Sequence, residues 1–471
     1  MKIDFYALLE TIKPIKKIIQ AITAKGGTAY LVGGAVRDLV LGNKLVDLDI
    51  EVHNLAPEQL ETTLKKFRKV SLVGKKFGVY KLHGIDVDWS LPRKDSTGRH
   101  PTVHIDTSMD VKEACRRRDI TINSMVINLS KFINHPEKEP KIVDPFDGLN
   151  DIETKTLRAT DIKLFNDDPL RFYRVMQFVS RFEMVPDEQL NALCKTIQLG
   201  PENVAQERIT EEIKKLLLKS KQPSLGFRWV AKIGRLKELF PELGQTIEMP
   251  QRPDFHPEGN VFEHTMQALD AAARFSAKSF QTTNLFVKTN SEKLTLLLST
   301  LCHDLGKLVT TDKLLHSYGH QTKGLKLVNT FLLRFSFNKK INSAVLAMVE
   351  FHHHPRLLTK SKPSKYKVLA SKLAPHTNIR LLTILSISDG QGRNPTKNKP
   401  LSEISTECVT FLKRAIELGV NEAPELPVLT GNDLIAKGKQ GTEIGKLLRK
   451  AYLIQIKENV QNTEQLLKRI I

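Results

Sequence analysis

Two carboxylates set two residues apart, Asp47 and Asp49, follow closely on a glycine turn, Gly33-Gly34-Ala35-Val36-Arg37-Asp38. Oxygen ligands at that spacing suit hard cations, and a pair of magnesium ions held this way serves phosphoryl transfer. The stretch Val46-Asp47-Leu48-Asp49-Ile50-Glu51-Val52 alternates. As a strand it puts Asp47, Asp49 and Glu51 on one face and Val46, Leu48, Ile50 and Val52 on the other. Leu31-Val32 and the glycines read as a strand turning into a short helix, whose first N–H groups offer a seat to a triphosphate. An isolated Asp-x-Asp is usually a half-exposed edge strand; the Gly-Gly-x-x-Arg-Asp turn upstream tips the reading toward a nucleotide site. Farther on, Ile85-Asp86-Val87-Asp88-Trp89 alternates again and offers a third carboxylate on a neighbouring strand. Arg116-Arg117-Arg118-Asp119, followed by Asn123, can clamp a triphosphate and a ribose, although a basic run alone is more often a solvated face.

A second constellation lies in the C-terminal half. His303 and Asp304 are adjacent in a helical segment, His264 lies upstream and Asp389 far downstream. Imidazoles from two helices with two carboxylates bind a divalent transition metal and leave a position open for water. Such a site hydrolyses phosphate esters, because bound water loses a proton near neutral pH. Lys307, one turn past His303, is placed to steer a phosphate, and His320, His352, His353 and His354 are further ligands in reserve.

The elements that must hold these groups divide the 471 residues into several modules, since one core rarely serves so long a chain. The pattern predicts an α+β protein: a mixed α/β head over 1–160, a helical neck over 161–222, a histidine-rich helical domain over 223–400 and a basic helical tail over 401–471. Strands are expected at Ala29–Val32, Val46–Val52, Val79–Leu82, Ile85–Trp89 and Val103–Asp106. Asp167-Asp168-Pro169 opens a helix whose apolar stripe is Phe172, Val175, Phe178, Val179 and Phe182. Lys plus Arg number 72 against 52 Asp plus Glu, a net charge of +20 that favours a polyanionic partner. Cys115, Cys194, Cys302 and Cys408 are scattered, which argues against a zinc knuckle or a disulfide framework. The absence of a long apolar run or a secretion-type N-terminus leads to an expectation of a soluble, cytoplasmic protein without a membrane partner.

Taken in order over residues 30 to about 180, several motifs resemble the class II nucleotidyltransferases, the CCA-adding tRNA nucleotidyltransferases and their poly(A) polymerase relatives. They are Gly33-Gly34-Ala35-Val36-Arg37-Asp38, Asp47-Leu48-Asp49, Arg93 with Gly98-Arg99-His100, Arg117-Arg118-Asp119-Ile120-Thr121-Ile122-Asn123, Asp144-Pro145-Phe146-Asp147-Gly148 and Asp167-Asp168-Pro169-Leu170-Arg171. The resemblance implies magnesium at Asp47 and Asp49, with Asp88, five residues before Arg93, as the third catalytic carboxylate. It implies nucleotide contacts from Gly34, Arg37, Arg118 and Asp119, and base reading by Asp168 and Arg171, a row that Arg174 extends. The chemistry agrees: a carboxylate accepts from the amino group of cytosine or adenine, guanidinium donates to the ring nitrogen, and uracil offers Asp168 only another acceptor. The chain departs from the family in Asp167, where glutamate is usual, and in Gln177, where arginine is common. His264, His303, Asp304 and Asp389 match the four-ligand set of the HD phosphohydrolase superfamily, some members of which hold a second metal. That likeness implies phosphatase or 2′,3′-cyclic phosphodiesterase activity.

The function so implied is template-independent addition of C, C and A to the tRNA 3′ end from CTP and ATP, with the acceptor stem gripped by its phosphates and no protein partner evident. The alternatives are a CC-only or A-only enzyme, a poly(A) polymerase, or an HD hydrolase with an idle RNA-binding head.

Overall fold

In the first of two compact units, Met1–Arg208, alternating apolar segments pair into a mixed sheet; the second unit is Ile209–Ile471. The computed structural model describes residues 4–73, 78–95, 103–200, 202–276, 285–397 and 399–471. The strands are β1 (Thr28–Val32), β2 (Leu48–His53), β3 (Val70–Val73), β4 (Val79–Leu82), β5 (Ile85–Ser90), β6 (Arg93–Asp95), β7 (Val103–Ile105), β8 (Val126–Asn128), β9 (Ile142–Val143), and a small separate pair, β10 (Thr156–Leu157) and β11 (Val185–Pro186). Seven form one sheet in the order β3-β4-β5-β2-β1-β8-β9, while β6 and β7 pair as a separate antiparallel ribbon. Within the seven-stranded sheet β2 and β5 run parallel and the other neighbours are antiparallel. Leu48, Ile50 and Val52 are buried as the alternation requires, but Val46 is 64% exposed because the strand begins two residues later than the pattern suggested. The short strands β3, β6, β8, β9, β10 and β11 lie outside the expected set; two to four residues are too few for a period to register.

The helix Leu170–Phe182 buries Phe172, Val175, Phe178 and Val179 of the stripe read from the sequence, leaves Phe182 half-buried, and ends at Glu183 in the left-handed region. The division between units falls at Arg208/Ile209, inside the helix Gln206–Lys219, so the segment read as a neck contributes to both.

In the second unit the helices Val261–Ala273, Asn290–Cys302, Lys339–Phe351 and Ile379–Gln391 pack on one another. Every residue of Val261–Ala273 is buried, and so is all of Ile379–Gln391 except Gly390. Helices surrounded on all sides place their polar residues in the interior, where each needs a partner. Arg380, 0% exposed, finds Glu422, Glu292 and the Phe286 carbonyl. All four cysteines are buried and free, and among the described residues no helix is long and apolar enough to cross a membrane. The tail closes a small core of Leu429, Leu434, Ala451, Leu466 and Ile470.

Candidate functional site

The parallel register of β2 and β5 sets Asp49 directly beside Asp88, while β1 sets Val32, the residue before the glycine turn, opposite Asp49. Parallel pairing is what lets two alternating strands bring carboxylates to the same edge, and it selects Asp88 over Asp86 as the neighbour. Asp47 lies just ahead of β2 and is exposed. Crowding by surrounding protein raises the Asp49 pKa and outweighs the nearby Arg118; the charges of Asp88 and Asp47 push it the same way. Among the described residues these three carboxylates do not close to within 4.8 Å as a set. Asp88 instead accepts from Lys81, its partner across β4, at 2.8 Å.

Gly33 has φ +69°, and a Cβ there would lie 2.8 Å from the Arg118 guanidinium and 3.7 Å from the Asp49 carboxylate. Turn, arginine and carboxylate therefore meet only because this residue has no side chain. Arg117 and Arg118 are drawn in by Glu51, which is 2% exposed, 3.2 Å from Arg117 and 3.8 Å from Arg118. Burial would raise the Glu51 pKa, but the bond from His53 and the two arginines hold it at about 2. Glu51 thus anchors the arginines beside Asp49, a role the sequence suggested only through its place on the same strand face.

The helix Gly34–Val40 begins at the turn, and its Arg37 is 4% exposed, donating to Asn123 and Asp38 and lying 4.5 Å over the Phe182 ring. Asn123 donates to Asp119, which also accepts from Arg174 at 2.6 Å. Burial works against the charged form of Asp119, yet Arg174 and Asn123 hold its pKa at about 2. Arg37, Asn123, Asp119 and Arg174 thus form one chain of bonds from the glycine-turn helix to the helix Leu170–Phe182. On the latter, Arg171 donates to the carbonyls of Leu164 and Arg117, both at 2.6 Å, leaving three of its five N–H groups. Asp168 accepts from the amide of Leu170, the first residue of the helix, at 3.1 Å, and from Arg208 at 2.8 Å. Both side chains are held in place with hydrogen-bonding capacity left over. Gly98-Arg99-His100 lies outside the described residues.

The second unit assembles its four predicted ligands at one point. His264 comes from Val261–Ala273, His303 and Asp304 from the turn that ends Asn290–Cys302, and Asp389 from Ile379–Gln391. His264 Nε2 lies 3.1 Å from Asp389 Oδ1, 3.3 Å from His303 Nε2 and 3.7 Å from Asp304 Oδ2. His303 Nε2 lies 3.4 Å from Asp304 Oδ2 and 3.9 Å from Asp389 Oδ1. Bonds of about 2.1 Å at tetrahedral angles set ligand atoms about 3.4 Å apart, so these separations suit a metal ion. The tautomers agree. His303 Nδ1 faces the Thr300 carbonyl at 2.7 Å, and His264 Nδ1 faces Glu258 Oε1 at 2.8 Å and the Gly392 carbonyl at 3.2 Å. Each Nδ1 then keeps the proton and each Nε2 presents a lone pair inward, the orientation a cation requires. Burial disfavours the charged forms of Asp304 and Asp389, but the surrounding imidazoles with Lys307 at Asp304, and Arg356, His264 and Arg393 at Asp389, outweigh it and hold both well below the usual carboxylate range.

Glu258, in no predicted set, fixes His264, and it also accepts from His256 Nδ1 at 2.9 Å. The sequence carries no spacing signal for it, because it precedes the helix on which its partner sits. His320, His352 and His353 form a second set of potential ligands, and His320 Nε2 lies 3.2 Å from Asp304 Oδ1. A Cβ on Gly306 would collide with the His320 carbonyl, so this close approach depends on glycine. His354 packs against Phe351 instead. Lys307 binds Asp304 at 2.7 Å.

These features define a nucleotidyltransferase head linked to an HD-type metal domain, a class whose members use divalent metals. The sequence profile of the "Poly A polymerase head domain" matches residues 29–158, and that of the "HD domain" matches 261–390. The multifunctional CCA protein of Dechloromonas aromatica is 30% identical over 382 residues, 79% of this chain and 85% of that protein. That of Teredinibacter turnerae is 28% identical over 442 residues, 91% of this chain and 97% of its own. The chain belongs to the multifunctional CCA protein family. The Thermotoga maritima CCA-adding enzyme, solved in complex with tRNA, shares the fold with a TM-score of 0.56 at 20% identity, covering 100% of this chain and 99% of that one.

Proposed function

We propose that this protein adds C, C and A to the 3′ end of tRNA from CTP and ATP, releasing pyrophosphate, and that its HD domain hydrolyses phosphate esters. The observation that carries the first part is the register pairing of Asp49 with Asp88 beside Gly33 and Arg118. Asp47, Asp49 and Asp88 supply only oxygen donors, the set that suits magnesium. Held by these carboxylates, magnesium would supply acidification of the attacking hydroxyl and stabilisation of charge on the transferred phosphorus. Gly34 and Arg118 lie along the path of the triphosphate, and Arg37, Asp119 and Arg174 hold the two helices that face it. Asp168 and Arg171 read the base. The net charge of +20 supports a tRNA gripped through its phosphates, and a tRNA substrate places the work in the cytoplasm.

In the HD domain, His264, His303, Asp304 and Asp389 would hold a divalent transition metal, which activates water toward a phosphate ester. Glu258 keeps His264 in its ligating tautomer. His320, His352 and His353 offer donors for a second ion beside Asp304.

Base reading is tested by supplying tRNA that lacks its last three nucleotides with each nucleoside triphosphate in turn. The parent is expected to accept CTP and ATP and to reject UTP. Asp168→Ala should narrow that preference by about 10- to 100-fold, the worth of a paired base edge. A preference unchanged in Asp168→Ala would remove Asp168 from base selection.

A further inference from the structure

We propose that His53 is a positioning residue for the triphosphate: its ring bridges the Met109 carbonyl and Glu51, and so fixes both ends of the short helix that leads into Arg117 and Arg118. The proposal deepens the transfer reading and rests on it for the nucleotide, though not for the geometry. His53 closes β2, and Asp49, Glu51 and His53 follow one another at every second residue, so all three share the strand face of the candidate magnesium site. His53 is 4% exposed and Glu51 2%.

The helix Val111–Arg116 has six residues, too few to hold its place by backbone bonds alone. Its buried Cys115 packs with Val32 and Val126, which seats it on the sheet. The ends are held by β2. Ahead of the helix, the Met109 carbonyl faces His53 Nδ1 at 3.1 Å; past it, Arg117 donates to Glu51 Oε2 at 3.2 Å. His53 Nε2 joins the two anchors, lying 3.1 Å from Glu51 Oε1. Arg118 comes next in the chain, its guanidinium 3.8 Å from Glu51 and close against the Gly33 turn.

A carbonyl and a carboxylate only accept, so both ring nitrogens of His53 must donate. The ring then divides Glu51: Oε1 goes to His53, and Oε2 is left to the two arginines. Without that donor the whole carboxylate turns to Arg117 and Arg118, and a triphosphate must compete with it for Arg118. Tyr30, from β1, meets the His53 ring edge-on at 5.0 Å and 69°, which fixes its plane. Packing alone does not call for such a group. An apolar side chain would fill the position without the cost of burying polar atoms.

The test uses the full chain and two substitutions. His53→Asn keeps a donor where Nδ1 lies and drops the bond to Glu51; His53→Gln keeps a donor where Nε2 lies. Incorporation of CTP is measured on tRNA lacking its last three nucleotides, and that of ATP on tRNA lacking only the last. His53→Asn is expected to raise KM for both nucleotides about tenfold, the worth of one charge-assisted hydrogen bond, with kcat within about threefold because Asp47, Asp49 and Asp88 are untouched. His53→Gln should restore most of the parental KM. A KM unchanged in His53→Asn, a rise for one nucleotide only, a fall in kcat at constant KM, or no rescue by glutamine would overturn the proposal. If His53→Asn does not fold, the parent decides. Its 15N spectrum should show a histidine, missing from His53→Gln, with both ring nitrogens protonated at neutral pH; a bare nitrogen would overturn the bridge. If the parent incorporates nothing, the transfer reading fails and binding decides. CTP should then bind the parent about tenfold more tightly than His53→Asn; absent or equal binding would overturn the positioning role.

Discussion

Asp49→Ala is expected to lower nucleotide incorporation into tRNA by about 1000-fold while leaving phosphoester hydrolysis by the HD domain unchanged. Metal clamping of a transferred phosphoryl group is worth several kcal/mol, and each 1.4 kcal/mol or so is a factor of about ten. Asp49 occupies the centre of its site: Asp88 is its register partner, Val32 lies across from it, and the Arg118 guanidinium stands just beyond Gly33. Its side chain is exposed, and β2 is held by buried Leu48, Ile50 and Val52, so the substitution removes a ligand without opening the core. Thermal melting of parent and variant should therefore coincide. Incorporation retained at the parental rate would mean that the head's carboxylates do not carry the reaction.

His303→Ala is expected to do the reverse, cutting metal-dependent phosphoester hydrolysis by about 1000-fold with CCA addition intact. His303 Nε2 stands 3.3 Å from His264 Nε2 and 3.4 Å from Asp304, and its other nitrogen is committed to the Thr300 carbonyl. Alanine leaves three ligands and a hole at the centre of the set. Because His303 is only 1% exposed, a general loss of structure must be separated from loss of the ion. Asp304→Asn serves for that: it keeps the volume, removes one charge from the site, and should abolish hydrolysis with no loss of transfer. Hydrolysis surviving in both variants would place the chemistry elsewhere. The two substitutions together test whether the protein holds two independent centres.

Much of this was legible in the residues because it rests on short-range periodicity. Alternation placed Asp49 and Asp88 on strands, and a 3.6-residue period placed Phe172, Val175, Phe178 and Val179 on the buried side of the helix that carries Arg171 and Arg174. What composition and spacing leave open is register: only the parallel pairing of β2 with β5 distinguishes Asp88 from Asp86. The resemblance to nucleotidyltransferases had already favoured Asp88. The supporting groups were harder to see. Glu51 and Glu258 act by orienting other side chains, Arg117 far along the chain and His264 on the helix that follows, and no spacing rule marks such a partner. Arg37 illustrates the same gap from the other direction. The resemblance implies a nucleotide contact from it, and no spacing rule announced the partners it packs against, Asn123, Asp38 and Phe182. Gln177, which departs from the family, is 1% exposed, its Oε1 has no hydrogen-bond partner among the described residues, and nothing in the structure explains that choice.

The central claim is that the head builds a defined trinucleotide without a template, and labelled incorporation into tRNA lacking its last three nucleotides tests it most directly. With magnesium present and products resolved to single nucleotides, CTP alone should add two residues and stop, and ATP added afterwards should add one more. A long adenosine ladder, a halt after two cytidines with ATP present, or no incorporation at all would contradict the account.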